Sequence, residues 1–249
     1  MSGRALVTGG TSGIGAAIAR RLAADGWRVA VAGRSAERAE AIVAEVGGVA
    51  VVGDVADPAH DPVALAVDAL GGLDCAVLNA GVIADRDLPG TGDDDWSRLL
   101  AVNVLAVHRQ ARAAHPHLAA SGGSILLTAS DAGVWGEPAI AGYSITKRMA
   151  LQLMRCLAAE WGPDGIRVNA LCPGDTEPGM VTTTAGRRAP GATDGWLTPP
   201  LGAIVQAADV AGAAAFLAGP DAARITGVGL LVDAGMRASS TGWQGEGPR

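Results

Sequence analysis

The sequence predicts an α/β fold: one doubly wound domain with a seven-stranded parallel sheet and helices on both faces. Three observations lead there. Seven short runs rich in Val, Ile and Leu recur along the 249 residues. Each run is continuously apolar rather than alternating, as strands buried on both faces are. Segments of helical period lie between them, and strand–helix alternation of this kind builds a doubly wound sheet.

The strand runs are "ALVTG" (5–9), "RVAVAG" (28–33), "VAVVG" (49–53), "LDCAVLNAG" (73–81), "SILLTAS" (124–130), "IRVNALCPG" (166–174) and "VGLLVDAG" (228–235). The first helical segment, "SGIGAAIARRLAADG", places Ile14, Ile18 and Leu22 four apart, with Arg20 and Arg21 on another face and Gly26 as the stop. The second, 35–47, opens on Ser35 as a cap candidate and closes on Gly47. Longer helical patterns cover about 95–120, 142–161 and 206–218. No composition break divides the chain, so 1–249 is read as one domain. The stretch 175–200 has no period and is expected to form a substrate loop or lid. The Gly-rich tail 240–249 is expected to be loose.

Composition narrows the function. Hydrophobic residues make up 49% and charged residues 18%, which suits a globular chain. Net charge is −6, with no basic stripe, which argues against nucleic acid and anionic membrane as partners. The N-terminus lacks the apolar core of a signal peptide, and no apolar run approaches the roughly 18 residues of a membrane span. A cytoplasmic protein is expected. Cys75, Cys156 and Cys172 are far apart and odd in number, so they read as buried free thiols in a reducing compartment. The four His have no metal-ligand spacing with Cys; His115 and His117 flank Pro116 and are read as lying near a helix end. No metal site is expected.

The loop "TGGTSGIG" (8–15) joins the first strand to the first helix. Gly9 allows a tight turn, Gly13 lets backbone approach a pyrophosphate, and Gly15 lets the helix pack on the strand. The helix N-terminus then offers N–H groups to the anion. This is the dinucleotide-binding pattern of Rossmann-type domains. An NAD site commonly carries Asp or Glu roughly 20 residues further on. Here Gly33 occupies that place, followed by Arg34 and Ser35. A guanidinium and a hydroxyl suit a ribose 2′-phosphate better than a bare diol, so NADP(H) is expected in preference to NAD(H).

The only tyrosine in the chain, Tyr143, stands four residues before Lys147 in "GYSITKR". On a helix that spacing puts both on one face, with Cβ atoms roughly 5–6 Å apart. A free phenol ionises near pH 10, and a neighbouring ammonium favours the phenolate. The pair can exchange a proton with a carbonyl/alcohol couple.

With these motifs the chain resembles the short-chain dehydrogenases/reductases, in their compact branch of about this length. The resemblance runs from Ala5 to about Gly235. It rests on "TGGTSGIG" (8–15), "DV" (54–55), "NAG" (79–81), Asn103, Ser130 of "LLTAS", "YSITK" (143–147) and "PG" (173–174), in family order. It implies an NAD(P)-dependent oxidoreductase that interconverts a carbonyl and a secondary alcohol. Tyr143 is then the general acid/base, Lys147 tunes it and binds the nicotinamide ribose, Ser130 holds the substrate oxygen, and Asn103 kinks its helix and holds a relay water. Gly9, Ser12, Gly13, Ile14 and Gly15 form the phosphate loop, while Asp54 and Val55 meet the adenine. Asn79, Ala80 and Gly81 line the cofactor, and Pro173, Gly174 and Thr176 flank the nicotinamide. Trp135, Met180 and Trp196 are the candidate substrate walls, suiting an apolar or cyclic ketone or alcohol. After "PG" the text "DTEPGM" is about one residue shorter than the family's usual segment, and Leu78 replaces a second asparagine. The family implies a homotetramer or homodimer. The competing reading is a non-catalytic nucleotide-binding regulator or scaffold on the same fold; the presence together of Asn103, Ser130, Tyr143 and Lys147 favours the enzyme.

Overall fold

The structure, a computed structural model, describes residues 3–137, 139–178 and 199–238. Met180, Trp196, the tail 240–249 and most of the expected lid lie outside the described residues.

Seven parallel strands form the sheet: β1 (Arg4–Thr8), β2 (Arg28–Gly33), β3 (Val49–Val52), β4 (Cys75–Leu78), β5 (Ser124–Thr128), β6 (Arg167–Pro173) and β9 (Gly229–Val232), in the order β3-β2-β1-β4-β5-β6-β9. The order reverses between β1 and β4, and that switch point at the strands' C-terminal ends is where such sheets open a ligand crevice. β7 (Thr176–Glu177) and β8 (Val205–Gln206) make a separate two-stranded parallel ribbon. The sequence pattern gave no sign of it.

Period-two alternation divides the core into two layers. Leu6, Ala30, Ala76 and Leu127 face α3 (Pro62–Leu70), α5 (Val107–Ser121) and α6 (Ala141–Trp161). Ala5, Val7, Val29, Val31 and Leu126 face α1 (Gly13–Ala24), α2 (Ala36–Val46) and the helix Ala207–Ala218, here α7. Small side chains such as Ala16, Ala19, Ala211 and Ala214 allow close packing in the second layer.

Two helical features depart from the expectation. Helix α3 was not anticipated, although its ends are marked. Asp61 Oδ1 accepts from the N–H groups of Val63 and Ala64 at 3.0 and 3.1 Å, Pro62 opens the helix, and Gly71 closes it at φ 75°. The long pattern at 95–120 is three pieces: α4 (Asp93–Leu100), a π-helical turn (Ala101–Ala106) and α5. Pro116 lies inside α5 rather than at its end, and His115 Nε2 pairs with Asp164 at 2.8 Å. Cys75 and Cys172 are buried free thiols as expected, whereas Cys156 is exposed. Among the described residues no helix is long and apolar enough to cross a membrane, and no His/Cys/Asp/Glu group could hold a metal.

Candidate active site

The glycine loop follows β1. Gly9 and Gly13 have φ of 63° and 50°, in the left-handed region that favours glycine. A Cβ on Gly9 would come 2.9 Å from the Ala80 Cα, and one on Gly15 would run into the Gly9 carbonyl. The first turn of α1 holds no acidic residue, and its cap residue Ser12 makes no side-chain bond to it. By contrast, α2 is capped by Ser35 and α3 by Asp61. The N–H groups at the start of α1 therefore remain available to an anion, which fits a dinucleotide pyrophosphate. A cavity of about 440 Å³ opens beside this loop, lined by Thr11, Ser12, Gly13, Glu177 and Gln206 among others; it does not reach Tyr143.

Beyond the loop, a Cβ at Gly33 would collide with the Thr11 side chain, so an acidic side chain at that place would displace Thr11. Arg34 is exposed, and no described residue pairs with it. The Ser35 hydroxyl accepts from the Arg38 N–H at 3.3 Å. Asp54, exposed, turns its own carboxylate onto the Ala56 N–H at 2.9 Å, and Val55 is partly buried beside it.

Asn79 ties the crevice together. Its amide donates to the carbonyls of Thr8 and Gly9 at 3.1 and 3.3 Å, and its oxygen accepts from Thr128 Oγ1 at 3.0 Å. The Thr8 hydroxyl accepts from the N–H groups of Asn79 and Ala80. On the far side, Lys147 Nζ donates to the Thr128 carbonyl at 2.8 Å. The phosphate loop and the lysine of α6 are thus joined through two strand ends. Ala80 and Gly81 follow directly, partly exposed.

Asn103, buried in the π-helical turn, accepts from the Val82 N–H and donates to the Val82 carbonyl, both at 2.9 Å, and donates to Thr146 Oγ1 at 3.1 Å. Thr146 in turn donates to the Tyr143 carbonyl at 2.9 Å. Asn103 therefore locks the loop after Gly81 onto the first turn of α6, and all of its side-chain polar atoms are engaged. Ser130 opens the turn after β5. Gly133 lets that turn lie against α6, since a Cβ there would come 2.7 Å from the Lys147 backbone. Lys147 Nζ lies 5.6 Å from the Tyr143 ring centre. Pro173 and Gly174 end β6 beside the same edge; Thr176 is buried and spends its hydroxyl on the Gly174 carbonyl at 2.8 Å. Trp135 is 41% exposed, a few residues beyond Ser130.

A family model described as enoyl-(acyl carrier protein) reductase matches residues 9–237. This chain is a short-chain dehydrogenase/reductase. It is 35% identical over 240 residues to 2,5-dichloro-2,5-cyclohexadiene-1,4-diol dehydrogenase of Sphingobium indicum, covering 93% of this chain and 94% of that one. It is 37% identical over 250 residues to 4-formylbenzenesulfonate dehydrogenase of Comamonas testosteroni, covering 93% and 96%. Among solved structures, a short chain dehydrogenase from Burkholderia cenocepacia in complex with NADP superposes with a TM-score of 0.82 at 37% identity, over 94% and 97% of the two chains. The 3-ketoacyl-(acyl-carrier-protein) reductase from Brucella melitensis complexed with NADH gives 0.85 at 32% identity, over 93% and 96%.

The electrostatics of this short-chain dehydrogenase/reductase run against the expectation from Tyr143–Lys147 spacing alone. Burial pushes the Tyr143 phenol up to about 12; a hydrogen bond from Ser130 opposes this, and the charges of Asp131 and Glu137 add to it. Burial also pulls Lys147 down to about 8. Desolvation is the largest influence on both groups, and neither side chain figures among the causes of the other's shift. Several residues that organise the site were given no role from the sequence: Thr8, Thr128 and Thr146, although they lie inside quoted motifs, and also Asp131, Glu137 and Arg237.

Proposed function

We propose that the protein is an NADP(H)-preferring oxidoreductase that interconverts a ketone and a secondary alcohol. The observation that carries this reading is the hydrogen-bonded path from the glycine loop through Asn79 and Thr128 to Lys147, with Tyr143 on the same helix. That path sets a nucleotide cradle and a proton-transfer pair on one sheet edge. The residues to hold the cofactor are Gly9 and Ser12–Gly15, Arg34 and Ser35, Asp54 and Val55, Asn79–Gly81, Lys147, Pro173, Gly174 and Thr176. When bound, the nicotinamide supplies or accepts the hydride.

The protein's own part is the proton. A phenol held protonated by burial is in the state needed to donate to a carbonyl oxygen during reduction. Ser130 donates a hydrogen bond to the same oxygen and fixes its position. Lys147, positively charged, makes the resulting phenolate less costly. Because the Asn103 side chain is fully engaged, a relay water toward Lys147 would have to use the Asn103 main-chain carbonyl. Trp135, Met180 and Trp196 bound an apolar or cyclic substrate in this reading, in keeping with the cyclic diol named for one relative. Exposed Leu105, Ile145 and Met149 support a homotetramer or homodimer. Free cysteines support a cytoplasmic location.

Purified protein given each cofactor and a panel of cyclic ketones, secondary alcohols and diols tests the reading. Nicotinamide absorbance should change with at least one substrate, and NADP(H) should bind more tightly than NAD(H). Arg34→Ala should weaken NADP(H) by roughly ten- to hundred-fold, as loss of a charge-assisted contact does, and leave NAD(H) nearly unchanged. No turnover across the panel, or equal binding of the two cofactors, would overturn the reaction or the preference respectively.

A further inference from the structure

Four charged side chains meet behind Ser130. Asp131, the next residue, is buried, and its carboxylate is contacted from three sides. Ser130 Oγ lies 3.2 Å from Oδ1, the Ala132 N–H donates to the same oxygen at 2.7 Å, and Arg237 Nε lies 3.1 Å from Oδ2. Arg237 comes from the turn after β9. Its Nη2 reaches Glu137 at 3.1 Å, and its backbone N–H is held by the buried Asp233 at 2.8 Å. Gly174 leaves the space: a Cβ there would lie 3.1 Å from the Asp233 Cα and 3.8 Å from Asp131 Oδ2.

A serine hydroxyl has one proton to donate. In the reaction proposed above, that proton belongs on the substrate oxygen or the Tyr143 oxygen. The Asp131 carboxylate is a competing acceptor at 3.2 Å. Hydrogen bonds to charged groups are about twice as strong as neutral ones, so a bare carboxylate would win against a neutral ketone. Arg237 and the Ala132 N–H both draw on the Asp131 charge and weaken that competition.

We propose that Arg237 is a positioning residue: by pairing with Asp131 it frees the Ser130 hydroxyl to point at the substrate oxygen or at Tyr143 instead of at Asp131. The inference rests on the oxidoreductase reading for the identity of the acceptor. No bond is made or broken by Arg237; it decides where an existing proton points.

The test is a set of variants read two ways. Arg237→Met should lower kcat by roughly ten- to hundred-fold, the scale of one charged hydrogen bond, with a much smaller change in KM. Adding Asp131→Asn should restore most of kcat, because the competing charge is gone. Arg237→Lys, which keeps the charge, should stay nearer the native value. In a Ser130→Ala background, Arg237→Met should have little further effect. The second readout needs no turnover. In the free protein the single phenol is followed by ultraviolet difference titration; Asp131→Asn should lower the Tyr143 pKa, and should lower it less when Ser130 is Ala. Equal kcat losses with and without Ser130 would overturn the proposal. So would a double variant as slow as Arg237→Met at native thermal stability, since removing the competing charge would then have freed nothing. A native protein with no carbonyl turnover whose phenol still shifts as stated would sink the oxidoreductase reading and keep the hydroxyl switch. Turnover without either pattern would do the reverse.

Discussion

Lys147 is buried to 4% exposure, and burial pulls its ammonium to about 8 from an ordinary 10.5. Between those two values the unfolded chain binds a proton that the folded chain has released. Folding stability should therefore rise with pH across that window, and below about pH 8 the fold bears the full cost of the buried charge. Lys147→Met keeps most of the stem and removes the charge. It is predicted to stabilise the free protein at pH 7 by on the order of 2 kcal/mol, allowing for the lost bond to Thr128. The gain should vanish once the pH exceeds the ordinary 10.5, where the native lysine is neutral in both states. Urea unfolding at the two pH values checks this, and the same variant should lose turnover. Tyr143 has the opposite sign. With its phenol pushed up to about 12, the unfolded chain gives up that proton first, so stability falls as pH rises above about 10. At this scale the proposed Tyr143 and Lys147 were legible in the sequence because spacing within one helix is local information, whereas Ser130 was proposed only through the family resemblance. The sequence did not disclose Asp131 with Arg237, which are 106 residues apart and meet only through the fold.

The segment "AVNVLA" forms a π-helical turn although its sequence continues the helical pattern on both sides. The wider turn is held from outside: Asn103 is bonded to both main-chain groups of Val82 and to Thr146 of α6. Tertiary anchoring of this kind is not visible in a local pattern, which is why one helix was expected where three pieces exist. Asn103→Ala would leave the half-buried Val82 N–H and carbonyl without their partner. A loss of about 2–3 kcal/mol is predicted, measurable by denaturant unfolding, together with weaker cofactor binding as the Asn79–Gly81 loop loosens. Helix α3 shows a different limit. Its Asp-Pro start and Gly stop are legible, yet nine residues make a short period that is easily passed over between two stronger runs.

Across the whole molecule the seven apolar runs became the seven strands, since a parallel sheet covered on both faces leaves continuous apolar sequence behind. The predicted ends overran the sheet where function begins. The run at 73–81 is strand only over Cys75–Leu78, and Asn79–Gly81 leave the ladder to shape the crevice. The ribbon β7–β8 was missed because two residues per strand carry no periodic signal. The central claim is that this crevice moves a proton through Tyr143. Replacement of Tyr143 by Phe removes one hydroxyl from the only phenol among 249 residues, so fold and cofactor affinity should persist. Turnover of the best substrate, measured at saturating cofactor for native protein and Tyr143→Phe, is the direct test. The account predicts a fall of at least roughly 10²-fold, the contribution of a positioned proton donor; a Phe variant that turns over at the native rate would contradict it.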